Sequence, residues 1–289
     1  MSYDLYFTRP TITRDEFTSY FRARRHYEVS GHQCTYQNAD TGVYFAIGHH
    51  DANEADEDAL RCTASLRLNY CRPHVFGLEA VAEVAALVAH FGLSIHDPQD
   101  MGDGPFSEEG FLRGWNHGNE LGYSLILGGD PPTQAVWTLP RGRLEAIWKW
   151  NRDKRLVQDS CREDRFVPRV VFMNVAGRLA SVAVWPDALC ELVPEVDYLF
   201  IRREELAPKP LFRPRKPDQF LLPFDHVKPT LAPYAAASHH LPAYELPAPN
   251  VPNALRRFVR TLRPTGITGE LVPTDQVLNE EIVARFRKA

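Results

Sequence analysis

The chain has no lysine before Lys149. Arginine alone supplies cationic charge to the first half, and sparsely. Residues 1–110 carry 17 acidic and 8 basic side chains, a net −9, whereas residues 111–289 are net +5. An acidic half is the wrong sign for coating nucleic acid or an anionic membrane and suits a basic partner. Cysteine is scarce, with 5 in 289 residues. Cys34, Cys62, Cys71, Cys161 and Cys190 are widely spaced, odd in number and form no C-x-x-C pair, which argues against a disulfide framework and for reduced, buried thiols. Long apolar runs are missing too. The most apolar stretch, residues 76–91, contains Glu79, Glu83 and His90 and is too short and amphipathic to span a bilayer. The N-terminus lacks the basic start and apolar core of a signal peptide. A cytoplasmic protein is expected.

Catalytic signatures are also lacking. There is no G-x-S-x-G, H-E-x-x-H, G-x-x-x-x-G-K-[ST] or G-x-G-x-x-G. No repeat period and no heptad run appears.

What is present reads as an α+β chain of two domains, each a mostly antiparallel sheet packed with helices, followed by a proline-rich extension. Residues 1–100 predict β-α-β-β-β-α-β. Tyr3, Leu5 and Phe7 alternate as a strand. Thr13-Arg-Asp-Glu16 fits a capping box, in which side chains at each end of the first turn satisfy the other's free N–H. Residues 33–37 and 42–50 read as strands, joined by a turn-rich connection. Residues 62–71 alternate cleanly. The following helix places Val81, Val84, Val88 and Phe91 on its apolar face and Glu79 and Glu83 opposite. A short strand over 93–98 ends at proline, and residues 99–105 read as a linker. The second domain spans 106–205. It starts with a helix weakened by Gly110, Gly114 and Gly118. A charged helix follows over 141–156, then a hairpin turning at Ala176-Gly177 and a third strand near 197–203. From residue 206 onward prolines break up long elements. An extended segment wrapping the second domain is expected there, with short helices near 224–235, 253–262 and 276–287.

Candidate chemistry is sparse. His49-His50-Asp51 offers metal-ligating types, but neighbouring strand residues point to opposite faces, so the two imidazoles do not converge. No metal or cofactor set is assigned. Asp187, Glu195 and Asp197, with Arg202 and Arg203, offer carboxylates for a metal-dependent hydrolase if they converge. A structural or adaptor subunit that self-associates is a further alternative. The sharpest local feature is the acidic run Asp51, Glu54, Asp56, Glu57, Asp58. One reading is a solvated hairpin tip. The other is a docking patch, since closely spaced carboxylates pair with arginine and speed encounter with a cationic protein. Asp100, Asp103, Glu108 and Glu109 extend the patch if residues 99–105 fold alongside it. Tyr44, offset by one from the Val43, Phe45 and Ile47 face, is a candidate aromatic anchor.

The opening Met-Ser-Tyr-Asp-Leu-Tyr-Phe7, the capped helix, Tyr36-Gln-Asn-Ala-Asp-Thr-Gly-Val-Tyr-Phe45 and Leu93-Ser-Ile-His-Asp-Pro-Gln99 resemble bacterial immunity proteins. These are encoded beside secreted antibacterial toxins, type VI secretion effectors among them. The resemblance covers residues 1–100 best and 170–203 more thinly. It implies a non-catalytic, cytoplasmic binder whose partner is a cognate toxin. The acidic run would suit a toxin with a basic substrate groove, such as a nuclease.

Overall fold

A computed structural model describes residues 1–51, 62–100, 102–128, 136–160, 166–189, 192–209, 216–237, 240–247 and 251–286. The fold is α+β. By contact, the chain divides into one unit of Met1–Arg141 with Asp275–Ala289, and a second of Gly142–Thr274.

The first unit is built on a seven-stranded antiparallel sheet. Its strands are β1 (Ser2–Arg9), β2 (Tyr27–Ser30), β3 (Gln33–Gln37), β4 (Tyr44–His49), β5 (Ala64–Asn69), β6 (Ser94–Asp97) and β7 (Gly102–Pro105), in the order β2-β3-β4-β5-β1-β6-β7. Three helices accompany them: α1 (Arg14–Arg22), α2 (Val75–Phe91) and α3 (Glu108–Leu127). A short strand, β8 (Trp137–Leu139), follows. Alternation decides which side chains face the helices. Tyr3, Leu5 and Phe7, Cys34 and Tyr36, Phe45 and Ile47, Ala64, Leu66 and Leu68 are all buried. Phe111 of α3 meets the Tyr3 ring edge-on at 5.2 Å, and Phe17 of α1 lies 5.3 Å from the His49 ring. The capping box forms as expected, with the Glu16 N–H donating to Thr13 Oγ1 and the Thr13 N–H to Glu16.

Three details depart from the sequence reading. β2 and β7 add an edge strand on each side. The segment read as a linker is therefore partly strand: Gly102–Pro105 pairs with β6 although its residues have little strand preference. An edge position tolerates Pro105, and Gly102 takes a left-handed φ of 64° where the chain reverses. Glu79 is not on a solvent face. It is 5% exposed, and its Oε1 accepts hydrogen bonds from Tyr36 Oη, Asn38 Nδ2 and Thr41 Oγ1. A buried carboxylate is tolerable because these donors replace water.

The second unit begins in α4 (Arg141–Ser160). It continues through β9 (Val170–Val175), β10 (Arg178–Pro186), β11 (Leu192–Pro194), β12 (Tyr198–Arg203), β13 (Asp218–Pro223), α5 (Lys228–Leu231), β14 (Ala243–Glu245), α6 (Asn253–Thr261) and β15 (Glu270–Val272). Five strands form a sheet ordered β13-β12-β10-β9-β15, antiparallel except for the β10–β12 pair. The β9–β10 hairpin turns at Ala176 and Gly177, both at positive φ. Asn151 of α4 exchanges two hydrogen bonds of 2.8 Å with the Val170 backbone and pins the helix to the start of β9. The proline-rich extension does not stand apart as its own region. It contributes β13 and β15 to the sheet's edges, and β14 pairs with β11.

The chain end returns to the first unit. β16 (Val277–Asn279) pairs in parallel with β8, and α7 (Glu280–Phe286) packs Ile282 and Val283 against Tyr123 and Leu127 of α3.

Candidate functional site

The β3–β4 register fixes the site. Gln33 pairs with Gly48, Cys34 with Ile47 and Tyr36 with Phe45. One step further along, His32 stands across from His49, and the His49 N–H donates to the His32 carbonyl at 2.7 Å. Cross-strand partners share a face. His32 and His49 therefore fall on the buried face with Cys34 and Ile47. The turn that delivers His32 is two residues long, Gly31-His32, with Gly31 at a φ of 60°. A positive φ at the first central position is the hairpin geometry that favours glycine.

His49 is 5% exposed. Its Nε2 lies 2.8 Å from the Ile12 carbonyl, which only accepts, so Nε2 carries the proton. The Ile12 peptide is itself held, because its N–H donates to Thr63 Oγ1 at 2.8 Å. Nδ1 of His49 is thereby turned toward Asp51, 3.5 Å from Oδ1. Nδ1 of His32 lies 3.7 Å from Asp51 Oδ2. Neither Nδ1 atom is exposed to water or has a hydrogen-bond partner. The Asp51 carboxylate also accepts from Arg14 Nη2 at 2.6 Å, and this bond holds its pKa below the usual carboxylate value. His50 points away and lies 2.8 Å from Ser65 Oγ. The expected divergence of His49 and His50 is thus observed. The convergent partner is His32, seventeen positions earlier.

Of the acidic run, Asp51 is the member that the structure describes. Glu54, Asp56, Glu57 and Asp58 lie outside the described residues. Asp100 and Asp103 lie away from Asp51, the member of the run that the structure describes. β4 ends at His49 beside the start of β5, whereas Asp100 sits in the β6–β7 turn at the opposite end of the sheet, three strands away. At about 4.8 Å per strand that is about 14 Å sideways as well. Asp100 pairs with Arg113, and Asp103 with His96, each at 2.7 Å. Glu108 and Glu109 occupy the first turn of α3, where acidic side chains favour the helix N-terminus. Tyr44 alternates against Phe45 as expected but is largely buried. Its hydroxyl donates to Asp275 at 2.9 Å and accepts from Arg72 Nε at 2.9 Å.

The carboxylates of the hydrolase reading are each engaged separately. Asp187 accepts from the backbone N–H groups of Glu204, Glu205 and Leu206. Glu195 pairs with Lys228 at 2.8 Å and accepts from Tyr244, and the Lys228 bond lowers its pKa. Asp197 accepts from the backbone N–H and hydroxyl of Ser181. Arg203 is fully buried on Asp218. Among the described residues these acids do not converge, and His32, His49 and Asp51 form the one set of such side chains placed to share an ion. Beside α4 lies a cavity of about 530 Å³ lined by Trp150, Val157, Val167 and Leu192, with Asp153 and His240 forming a 2.7 Å pair in its wall.

No family model, curated protein or solved structure matches this chain. Burial pushes the thiol of Cys34, on the same face, up to about 12, which disfavours the nucleophilic thiolate.

Proposed function

We propose that this chain is an immunity protein: a cytoplasmic, non-catalytic binder that neutralises a cognate antibacterial toxin by covering its active site. The observation that carries the reading is the acidic run Asp51, Glu54, Asp56, Glu57, Asp58, which follows β4 in the sequence. Its first carboxylate, Asp51, lies at the surface, and the chain before residue 111 is strongly acidic. A basic substrate groove, as in a nuclease, is the complementary surface. The resemblance of residues 1–100 to immunity proteins supports the same reading, as does the separate engagement of the unit-two carboxylates. No helix among the described residues is long and apolar enough to cross a membrane.

The test is protection. The product of the neighbouring gene is expressed in a susceptible bacterium with and without this chain, and its binding is followed by surface plasmon resonance at several salt concentrations. Rescue of growth, together with a salt-dependent association rate, is the expected result. Replacing Asp56, Glu57 and Asp58 by serine should slow association and flatten its salt dependence, while dissociation changes less. An unchanged association rate removes the acidic run from the interface. Failure to protect against any neighbouring product removes the immunity reading.

A further inference from the structure

The geometry points to a metal site: we infer that His32 Nδ1, His49 Nδ1 and the Asp51 carboxylate bind a divalent transition ion of the zinc class. This inference stands apart from the toxin reading. The first observation is spacing. Bonds of about 2.0–2.2 Å to a tetrahedral ion place its ligand atoms about 3.3–3.6 Å apart. His49 Nδ1 and Asp51 Oδ1 are 3.5 Å apart, His32 Nδ1 and Asp51 Oδ2 are 3.7 Å apart, and the three groups' ligand atoms all lie within 4.8 Å of one another.

The second observation is independent of spacing. His49 is almost fully buried, and its Nε2–H is committed to the Ile12 carbonyl. In the neutral ring Nδ1 is then a bare lone pair, and it faces Asp51 Oδ1 at 3.5 Å without a hydrogen bond. Two electron-rich atoms turned toward each other repel unless a cation or a proton lies between them, and here both Nδ1 atoms are shielded from water while Asp51 is partly exposed. A metal ion turns this arrangement into coordination. The outer contacts are those that metal ligands commonly have: a carbonyl on the far imidazole nitrogen, and a donor, Arg14, on the ligating carboxylate. Thr63 acts one step further out as a positioning residue, because it holds the Ile12 peptide that orients the ring.

The donor set selects the ion. Two imidazoles and one carboxylate suit zinc and its neighbours, whereas calcium requires six or more oxygen ligands and magnesium a nearly all-oxygen octahedron. Three protein ligands leave a fourth position for water or an incoming side chain. Bound metal would fasten the β2–β3 turn to the end of β4, where the acidic run begins.

The test uses the full chain, stripped with a chelator and checked by circular dichroism. Zinc uptake is measured by calorimetry and elemental analysis, and cobalt(II) serves as a spectroscopic stand-in. We expect one saturable equivalent per chain, a rise in melting temperature on zinc addition, and the visible absorption of four-coordinate cobalt. His32→Ala, at a partly exposed turn position, should keep the fold and lose more than about 100-fold in affinity, beyond the roughly 10–100-fold that follows from losing an outer hydrogen-bond partner. Thr63→Val should fall within that smaller range and keep the stoichiometry. Asp51→Asn provides a second ligand test at a surface position. Absence of saturable uptake by the native chain overturns the inference. Equal uptake by His32→Ala and Asp51→Asn also overturns it, since the ion would then sit on other histidines.

Discussion

Arg203 is 0% exposed, and its guanidinium is occupied on every side. Nε and Nη2 fork onto Asp218 at 2.8 and 2.5 Å, and Nη1 donates to the carbonyls of Val259 and Leu262 at 2.9 and 3.0 Å. Those carbonyls belong to the last turn and cap of α6, which the helix cannot satisfy itself. One side chain therefore ends a helix and ties it to the edge pair β12–β13. Removing it leaves Asp218 without its partner and the carbonyls without donors. Arg203→Ala is expected to destabilise the second unit by about 3–5 kcal/mol. Lysine should rescue little of this, because an ammonium cannot fork onto the carboxylate and reach the helix end together. Urea denaturation of the two variants reads both differences, and a loss under about 1 kcal/mol would show that the network contributes little. In the sequence Arg203 is one of two adjacent arginines at the end of a strand pattern. Alternation sends Arg202 outward and Arg203 inward, which was legible; the helix end waiting for it was not, because Leu262 lies 59 positions away.

At the scale of elements, α3 shows how local preference and packing can disagree. Gly110, Gly114, Gly118 and Gly122 recur every fourth residue and lower helix propensity, yet the helix runs unbroken from Glu108 to Leu127. The glycines form the stripe on which α3 approaches its neighbours. A Cβ at position 118 would lie 2.3 Å from the Tyr70 ring, and one at 122 would lie 2.8 Å from Cys71 Sγ. Gly118→Ala should therefore destabilise the first unit by about 1–3 kcal/mol through overpacking. The substitution would gain up to about 1 kcal/mol at an open helix position, so the sign of the change is itself the test. A melting temperature that rises would show that Tyr70 moves aside freely. The same contrast explains which elements were legible. β1, α1, β3 and the β9–β10 hairpin follow from alternation, a capping box and a Gly turn, all local signals. β7 was not legible, since Gly-Asp-Gly-Pro becomes a strand only because β6 offers an edge. The candidate site was legible in part. His49 and Asp51 stand out as residue types, but His32 enters only when the β3–β4 register is carried one residue beyond the last pair. That pairing is long-range information, although the alternation of 33–37 and 42–50 contains enough to derive it once antiparallel pairing is assumed.

At the scale of the molecule, the chain closes its first unit with its last residues. Val277, Leu278 and Val283 are at most 1% exposed and Ile282 is 9% exposed, packed in part on Tyr123 and Leu127. Asn279 Oδ1 takes the N–H of His74 at 3.3 Å and meets His74 Nδ1 at 2.7 Å, at the start of α2. Asp275 holds Tyr44. Four aliphatic side chains at about 1.5–3 kcal/mol each amount to roughly 6–12 kcal/mol of burial as an upper estimate. That is comparable with the whole stability of an ordinary domain, about 5–15 kcal/mol. A chain ending at Thr274 is therefore expected to lose the cooperative melting of its first unit while the second unit, which is continuous in sequence, still unfolds as one transition. Calorimetry separates the two, and restoring the first transition by adding a peptide of residues 275–289 would show that the segment acts by packing. A truncated chain that melts within a few degrees of the full one would mean that these contacts are marginal. The consequence reaches the proposed activity. If the acidic run after β4 is part of the binding surface, truncating the opposite end of the sequence should abolish toxin protection with the melting transition lost, whereas neutralising Asp56, Glu57 and Asp58 should weaken protection through slower association with the transition kept.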